Sequence, residues 1–540
     1  MAKSMDKADD AIVHHEERPD EYPTGRTDMK GDAEVDQYAQ ETAHLHIDAA
    51  TNKRLFRKIN KRVLAIMLGV GFGIEKPRYL RCADKKNDIQ TYFCQALDKG
   101  TLGFSSIMGI NDDAHLHGNQ FSWLGTILYM GILVGEYPTN FLLQKLPVAK
   151  YLAVNVFLWG AVVTCSAAAT NWGALMAVRF LLGIFESCVQ PTFIILTAMW
   201  YTREEQAVLT SLWYCMMGVQ LMVGGLIAYG VSHIKDAPVF SWQVLFMVLG
   251  LATVLWSIVI ACFLPDSPMK AKCYNEDDKR LMFARVRGNQ TGMQNKTYKR
   301  YQVIEALVDP YVWCCVLLQC TSTLIIGGLG VFSNLIIKSL GFTVLQTQLL
   351  NIAQGAVTIL VMVGGAMLAS KTKQTLLVMF LWTLPAIAGT GILMGIAPNS
   401  KNAGGLLVAF YCTQFILAEG NLIFSLISRN VAGQTKKGVT LSMTFIAWAA
   451  GNMTAPQLFQ TSDAPRYRHG FTAHLCLYVI YIAEIAVTWL ILTRRNKARA
   501  INAASRAEEM GSGAGSKTDA QELALQDLTD RENPEFKYVV

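Results

Sequence analysis

The run RFLLGIFESCVQPTF (179–193) decides the class of fold, because it places an arginine and a glutamate inside an otherwise apolar segment. The segment extends from 173 to 200 and exceeds the ~20 residues that a helix needs to cross a bilayer. Arg179 and Glu186 are seven residues apart, nearly two helical turns, so both project from one face. A charge at that depth costs at least ~2.5 kcal/mol and marks an ion or substrate path more often than not. The run therefore indicates a membrane protein with a polar path inside it.

The composition of the whole chain agrees with this interpretation. Hydrophobic residues make up 52% of the 540 residues and charged residues only 16%, whereas soluble globular proteins carry about 25% charged residues. Eleven apolar runs, including the one just described, have the length of membrane helices. They lie near 121–143, 151–169, 173–200, 207–231, 242–264, 311–336, 347–369, 375–397, 404–427, 438–460 and 471–493. With one more helix from 61–110, they predict an all-α membrane protein of twelve transmembrane helices in two six-helix bundles.

Polar intervals divide the chain into five parts. A polar N-terminal tail and a C-terminal tail containing GSGAGS are both expected to be disordered. A charged central loop separates two apolar halves of similar layout. The predicted boundaries are 1–52 for the N-tail, 53–264 for the first bundle, 265–308 for the loop, 309–493 for the second bundle and 494–540 for the C-tail.

The basic residues predict the orientation in the membrane. The stretch 53–62 carries six of them and the loop 265–300 carries nine, whereas the connection 111–120 carries none. The positive-inside rule then places both tails and the central loop in the cytoplasm; Arg466 and Arg468, in a predicted outer loop, are exceptions. No basic stripe interleaved with aromatics indicates nucleic-acid binding. The twelve cysteines lie mostly in apolar runs and show neither a disulfide framework nor metal-ligand spacing.

The region 61–110 presents a problem for the first helix. Its apolar start, Val63 to Ile74, is too short to span a bilayer, and a charged segment follows. We hypothesise that residues 71–90 are encoded by an intron that was left unspliced in the gene model. Their removal joins RVLAIMLGV to TYFCQALDKGTLGFSS as one continuous span. The alternative is a genuine charged loop, with the first span beginning near Thr91. Sequencing the mature transcript separates the two.

Motifs spread along both halves resemble the Major Facilitator Superfamily, and within it the fungal allantoate permease family of the anion:cation symporter branch. They are ALDKGTLGF (96–104), EYPTNFLLQKLPVAKYLAVNVFLWG (136–160), RFLLGIFESCVQPTF (179–193), PDSPMKAK (265–272), NVAGQTKK (430–437) and APRYRHG (464–470). The resemblance covers nearly all of the chain except its tails. It implies two pseudo-symmetric six-helix bundles around a central cavity, where transporter sites lie near the midplane.

The resemblance also implies roles for two acid–base pairs. Asp98 and Glu186 are expected to carry the coupled proton, while Lys99 and Arg179 are the cations expected in substrate binding or coupling. The residues themselves permit this, because desolvation favours the protonated form of a buried carboxyl group and a lysine suits an organic carboxylate. The alternative for Arg179 and Glu186 is a purely structural role, as a pair that holds helices together.

Four other polar residues in the spans are candidates for substrate binding or coupling. Glu136 and Glu419 are carboxyl groups inside apolar runs, and Gln190 and Gln354 are amides that can hydrogen-bond a substrate. Single polar residues of this kind also hold helices together, and that alternative stays open. For Glu484 a structural or lateral role is favoured.

The leading functional hypothesis is a proton-coupled symporter that imports a small organic anion across the plasma membrane by alternating access, as a monomer. An exporter on the same fold and a nutrient sensor with little transport are the alternatives, although the tails are short for a sensor. No metal-ligand cluster or nucleophile–base motif favours an enzyme, and no cofactor is expected besides the proton as coupling ion. Allantoate or a vitamin-type carboxylate is the expected class of substrate, from the resemblance alone.

Overall fold

The computed structural model describes residues 49–60, 63, 91–234, 238–269, 271, 274–287, 299–460, 463–510, 528–533 and 536–539. Over these residues the regular structure is helical and contains no strand, which confirms the predicted all-α class. Residues 71–90 lie outside the described residues, so the hypothesis about that segment stays a prediction. Residues 1–48 and 511–527 also lie outside the described residues, so the disorder predicted for them stays a prediction.

Among the described residues, the N-terminal half contains nine helices: seven make up six predicted crossings, and two are short or peripheral. In chain order they are α1 (Ala49–Ile59), α2 (Thr91–Ile107), α3 (Ile110–Asp113), α4 (Gln120–Lys145), α5 (Val148–Ser166), α6 (Trp172–Glu186), α7 (Val189–Trp200), α8 (Arg203–Val231) and α9 (Ser241–Phe263). Helices α6 and α7 form one crossing with a break at residues 187–188. The side chain of Asn171 caps α6 by accepting a hydrogen bond from Ala174 N at 2.8 Å.

The C-terminal half follows two loop helices. The elements are α10 (Glu276–Arg287), α11 (Arg300–Val308), α12 (Pro310–Ser339), α13 (Val344–Thr372), α14 (Thr375–Gly395), α15 (Ala403–Thr413), α16 (Glu419–Asn430), α17 (Gln434–Thr454) and α18 (Arg468–Met510). A 3₁₀ turn, Gln414–Ala418, joins α15 to α16 in one crossing, and a second one, Ala455–Leu458, follows α17. Asp309 caps α12, whose first residue is a proline, as helix starts favour.

The number of crossings is consistent with the predicted twelve. Among the described residues, nine helical stretches are long and apolar enough to span a bilayer. Three more helices, α2, α4 and α17, are too polar or too short to meet that criterion, yet they pack inside the bundles. Helix α2 contacts α8 and α12, α4 contacts α6 and α17, and α17 contacts α12. Among the described residues, each half therefore has six helical stretches that are consistent with six crossings.

The two ends of the molecule differ, and we name them by what they carry. The tail end holds α1, α10, α11 and residues 528–533 and 536–539; the far end holds α3 and the turn 455–458. At the tail end, α10 attaches to the N-terminal half, because Arg285 pairs with Glu205 and its Nε donates to Asn52 at 2.5 Å. Helix α11 attaches to the C-terminal half, where Gln302 Oε1 accepts hydrogen bonds from Thr435 N at 3.1 Å and Lys436 N at 3.2 Å.

The described parts of the tails differ from the predicted disorder. Helix α1 begins at Ala49, inside the predicted N-tail, and α18 continues to Met510, well past residue 493. Residues 528–533 and 536–539 are packed on the C-terminal half, with Asp530 fully buried and Tyr538 3% exposed. The prediction of a disordered C-tail is wrong for these residues, because their charged and aromatic side chains find partners on the helix ends.

One close helix approach shapes the N-terminal half. Gly131 of α4 and Gly183 of α6 face each other, so that a Cβ added at Gly183 would lie 2.1 Å from the carbonyl oxygen of Leu128. Glycines at such contacts let the backbones of two membrane helices touch. The contact holds α6, and with it Glu186, against its neighbours.

Candidate functional site

A central cavity of about 250 Å³ lies between the two halves at mid-depth. The helices that line it come from both halves, mainly α2, α8, α12, α13, α16 and α17. Its wall is rich in amide side chains and aromatic rings and contains one cation, Lys99, among the described residues. Pockets of this kind, apolar with a few convergent polar groups, are typical of small-molecule sites.

Lys99 pairs with Glu186 at the edge of the cavity. The distance from Lys99 Nζ to Glu186 Oε1 is 2.8 Å; the lysine side chain is 26% exposed and the glutamate side chain is fully buried. The ammonium group also lies 5.7 Å from the ring centroid of Trp448, which belongs to the opposite half. Lys99 therefore links the buried carboxyl group to the cavity and to the facing bundle.

Asp98 and Arg179 lie behind this pair, away from the cavity. The hydroxyl of Thr253 donates to Asp98 Oδ2 at 3.4 Å, and the Arg179 guanidinium lies 5.6 Å from the ring centroid of Phe246. Both side chains are buried, and both interact electrostatically with Glu186. The predicted pairing of Arg179 with Glu186 is thus through-space, while the direct ion pair of Glu186 is with Lys99.

Amide groups make up most of the polar wall. Nine of them line the cavity: Gln95, Gln190, Gln220, Gln319, Asn334, Asn351, Gln354, Gln414 and Asn452. This set includes the predicted residues Gln190 and Gln354; the latter accepts a hydrogen bond from Ser333 Oγ at 3.0 Å and donates to Gln414 at 3.3 Å. Amides can donate to a carboxylate and accept from an N–H group with the same side chain.

Several of these amides keep free hydrogen-bonding atoms. Over the described residues, no protein partner binds Gln220 Nε2, Gln319 Oε1 or Asn351 Oδ1, although all three atoms are buried. Buried polar atoms are rarely left unsatisfied, so these atoms are suited to a polar ligand or water. The sequence pointed to Asn351 as a polar residue in a span that could hydrogen-bond substrate, but not to Gln220 or Gln319; the signal available for those two was their amide character inside apolar runs.

The other predicted carboxyl groups lie outside the cavity wall. Glu136 is half-buried, and its Oε1 accepts a hydrogen bond from Asn140 Nδ2 at 3.4 Å. Glu419 is fully buried and accepts a hydrogen bond from Tyr481 at 2.9 Å, although its neighbour Gly420 does line the cavity. Glu484 accepts from Thr321 at 2.9 Å. The structure thus brings Lys99, Glu186, Gln190 and Gln354 to one site and leaves Glu136 and Glu419 apart from it.

The halves are closed against each other near the far end. Phe121 and Phe332 pack edge to face there with centroids 5.6 Å apart, and Tyr129 and Trp448, which line the cavity, do the same at 5.7 Å. Side-chain hydrogen bonds also join the halves there: Ser122 to Phe459 O (2.9 Å), Thr126 to Met453 O (2.8 Å), Gln457 to Thr126 (2.8 Å) and Gln348 to Ser232 (2.9 Å). Within the described residues, no group of three or more His, Cys, Asp or Glu side chains is placed to hold a metal ion.

Comparison with known families and curated proteins gives consistent relatives. The family model described as Major Facilitator Superfamily matches residues 91–456. An uncharacterized transporter of Schizosaccharomyces pombe is 37% identical over 83% of this chain and 84% of its own length. The thiamine pathway transporter THI73 and the allantoate permease of Saccharomyces cerevisiae are 32% and 31% identical, each over 83% of both chains.

Solved structures share the fold. A bacterial homologue of the human lysosomal transporter Spinster, in an inward-facing and unoccupied conformation, superposes with a TM-score of 0.55. It covers 75% of this chain and 95% of its own, at 14% identity. The same homologue in an inward-facing and occupied conformation gives a TM-score of 0.57 at 13% identity.

Proposed function

Because the chain belongs to the Major Facilitator Superfamily, we propose that this multi-pass membrane transporter is a proton-coupled symporter of a small organic anion. The observation that carries the proposal is the 2.8 Å ion pair between Lys99, which lines the cavity, and the buried Glu186. A proton on Glu186 removes the carboxylate that neutralises Lys99, and so leaves the ammonium charge available to a substrate. Its curated relatives are transporters and not enzymes, and its substrate is a small molecule.

The basic residues set the orientation in this proposal. The tail end carries the basic stretch 53–62 and the basic loop helices, so it faces the cytoplasm. The halves contact each other near the far end, where Ser122 and Thr126 bond the opposite half. The structure then corresponds to a state closed to the outside. The membrane in question is the plasma membrane, and the transporter works as a monomer.

Proton binding and anion binding depend on each other through Lys99. With Glu186 ionised, the ammonium group is neutralised by a carboxylate 2.8 Å away. When Glu186 takes a proton, Lys99 becomes an uncompensated cation in a cavity of low dielectric, and a substrate carboxylate is its natural partner. The loaded carrier then has no buried net charge, which favours the closed intermediate between the two open states. Asp98, which accepts a hydrogen bond from Thr253 behind this pair, is the second proton site.

The amide wall completes the substrate site. Gln220, Gln319 and Asn351 offer unused donor and acceptor atoms around the space in front of Lys99. These groups suit an anion that also carries N–H and C=O groups. The curated names of two relatives, an allantoate permease and a thiamine pathway transporter, agree with nitrogen-rich nutrients as the class. Arg179, buried behind the pair, tunes Glu186 by its charge without touching substrate.

The test is uptake in proteoliposomes, with allantoate as the first labelled substrate and an imposed inward proton gradient. We expect Glu186→Gln to abolish gradient-driven accumulation, at least about tenfold, while substrate exchange at equal pH persists. The reason is that glutamine mimics the protonated residue and leaves Lys99 free at every pH. Glu484→Gln is the matched control, since it makes the same change outside the cavity wall. Accumulation that survives in Glu186→Gln would refute the coupling assignment.

A further inference from the structure

The described end of the chain occupies a groove at the tail end of the C-terminal half. Residues 528–533 and 536–539 contact α11, the start of α12, the end of α16, the start of α17 and α18. None of these contacts involves the central cavity. Four membrane-crossing helices thus meet one short peptide segment.

A buried charge cluster anchors one end of the segment. Lys436 Nζ lies 2.6 Å from Asp530 Oδ1 and 2.9 Å from both Asp309 Oδ2 and Glu305 Oε1. The side chains of Lys436 and Asp309 are fully buried, and that of Asp530 is 1% exposed. Charges leave water only when well paired, so Asp530 is recognised by its charge and its position.

Two asparagines hold the backbone at the other end. Asn496 donates to Tyr538 O at 3.0 Å and accepts from Tyr538 N at 3.1 Å. Asn430 does the same for Val539, with distances of 2.8 Å to its oxygen and 2.7 Å from its nitrogen. Each amide therefore satisfies both the N–H and the C=O of one residue, as a neighbouring strand would do for an extended peptide.

Tyr538 connects the two ends. Its hydroxyl donates to Asp530 Oδ2 at 2.8 Å, and its ring stacks under Arg499, with 4.7 Å from the guanidinium carbon to the ring centroid. The side chain is 3% exposed. Arginine over tyrosine combines cation–π attraction with packing. The groove therefore binds a carboxylate, a tyrosine eight positions later and the backbone of that tyrosine and its neighbour.

We propose that residues 528–539 are a reversible intramolecular latch, and that the groove is a binding site for a peptide that presents an aspartate and a tyrosine in this spacing. The occupant is the chain's own end, since the 17 residues 511–527 reach about 60 Å when extended and α18 itself forms part of the groove. The latch holds together the tail ends of α12, α16, α17 and α18. Helices α12 and α17 also carry cavity residues, Gln319 and Trp448, so the latch controls how freely these helices move.

The proposal is tested by hydrogen exchange on the full-length protein in nanodiscs, independently of transport. We expect the amides of Tyr538 and Val539 to exchange at least about tenfold more slowly than in a synthetic peptide of residues 528–540. Asp530→Asn should remove most of this protection, whereas Asp519→Asn, the same change outside the described segment, should not. Exchange as fast as in the free peptide, or full protection in Asp530→Asn, overturns the proposal.

Reversibility and the identity of the occupant are tested with the same readout. An excess of the synthetic peptide should displace the latch and raise exchange in the chain's own end, while a peptide carrying Asp530→Asn should not. Protection that excess peptide never relieves means a permanently fixed segment and overturns the latch. Protection that is lost on dilution of the protein assigns the occupant to a second copy and overturns the intramolecular form.

Discussion

Several interactions of the tail end meet at Asp309. It caps α12 by accepting from Tyr311 N at 3.0 Å, and its carboxylate lies 2.9 Å from Lys436 Nζ and in contact with Arg495. Burial raises the pKa of Asp309, but the hydrogen bond from Arg495 and the charge of Lys436 outweigh it and lower the pKa to about 2. The ionised form is therefore part of the folded state at any physiological pH.

This lowered pKa predicts a specific pH dependence of stability. A carboxyl group whose folded pKa is below its ordinary value of 3.8 contributes fully above that value and loses its contribution as pH falls towards 2. We expect Asp309→Asn to lower the free energy of unfolding by about 2 kcal/mol at pH 7, and the difference from the wild type to shrink below pH 4. Thermal unfolding in detergent between pH 7 and 3 measures this. A difference that stays constant over this range would contradict the assignment.

The sequence shows which charges lie inside the spans, but not which side chains they contact. Lys99 and Glu186 were predictable because few charges interrupt the apolar runs, and each costs free energy there. That Lys99, and not Arg179, forms the ion pair with Glu186 depends on how α2 packs beside α6, which no local pattern encodes. Gln220 and Gln319 were missed for the same reason, since an amide in a span has the same sequence signal whether it faces the cavity or a neighbouring helix.

At the scale of elements, α4 and α6 approach each other closely near the site. Gly183 has no room for a side chain, because an added Cβ would lie 2.1 Å from Leu128 O and 3.0 Å from Gly131 Cα. The obstacle is backbone, which cannot rotate away. The position of Glu186, one turn further along α6, depends on this contact.

We therefore expect Gly183→Ala to separate α4 from α6 and to lower the free energy of unfolding by about 1–3 kcal/mol, the usual cost of overpacking. Thermal unfolding of the purified protein measures the loss. Gly391→Ala in α14 is the matched control, since nothing lies within 4 Å of its added Cβ. Because alanine also favours helix, the control should be neutral or stabilising. Equal effects at the two positions would argue against the close approach.

The apolar runs predicted where helices lie but not where they break. The runs 173–200 and 404–427 read as single spans, whereas the structure interrupts them at 187–188 and with a 3₁₀ turn at Gln414–Ala418. Both breaks lie at cavity residues: Gln190 follows the first break, and Gln414 is the first residue of the 3₁₀ turn. The docked segment 528–539 was beyond prediction, because its polar composition is that of a disordered tail until Lys436 and Asn496 supply partners from distant helices.

At the scale of the whole molecule, each half carries its own attachments at the tail end. Helix α10 is bound to the N-terminal half through Arg285, and α11 with the latch is bound to the C-terminal half through Gln302 and Lys436. These contacts stay within one half, so the halves can move as two bodies. The bonds that cross between the halves, such as Thr126 to Met453, must break when the far end opens.

Fixing the far end should therefore stop transport without disturbing the substrate site. Gln457 Nε2 donates to Thr126 Oγ1 at 2.8 Å, which brings two different halves within reach of a short thiol-to-thiol reagent when both residues are cysteine. We expect the cross-linked Thr126→Cys, Gln457→Cys protein to lose uptake in proteoliposomes and to regain it when a cleavable reagent is reduced, because alternating access needs these contacts to separate. Each single variant treated with the same reagent controls for the native cysteines.

Since the cavity residues Lys99 and Gln354 are untouched, substrate binding from the tail end should persist in the cross-linked protein. Undiminished uptake after complete cross-linking would mean that the far end is not a gate, and that substrate crosses by a route that leaves the contacts of Ser122 and Thr126 intact.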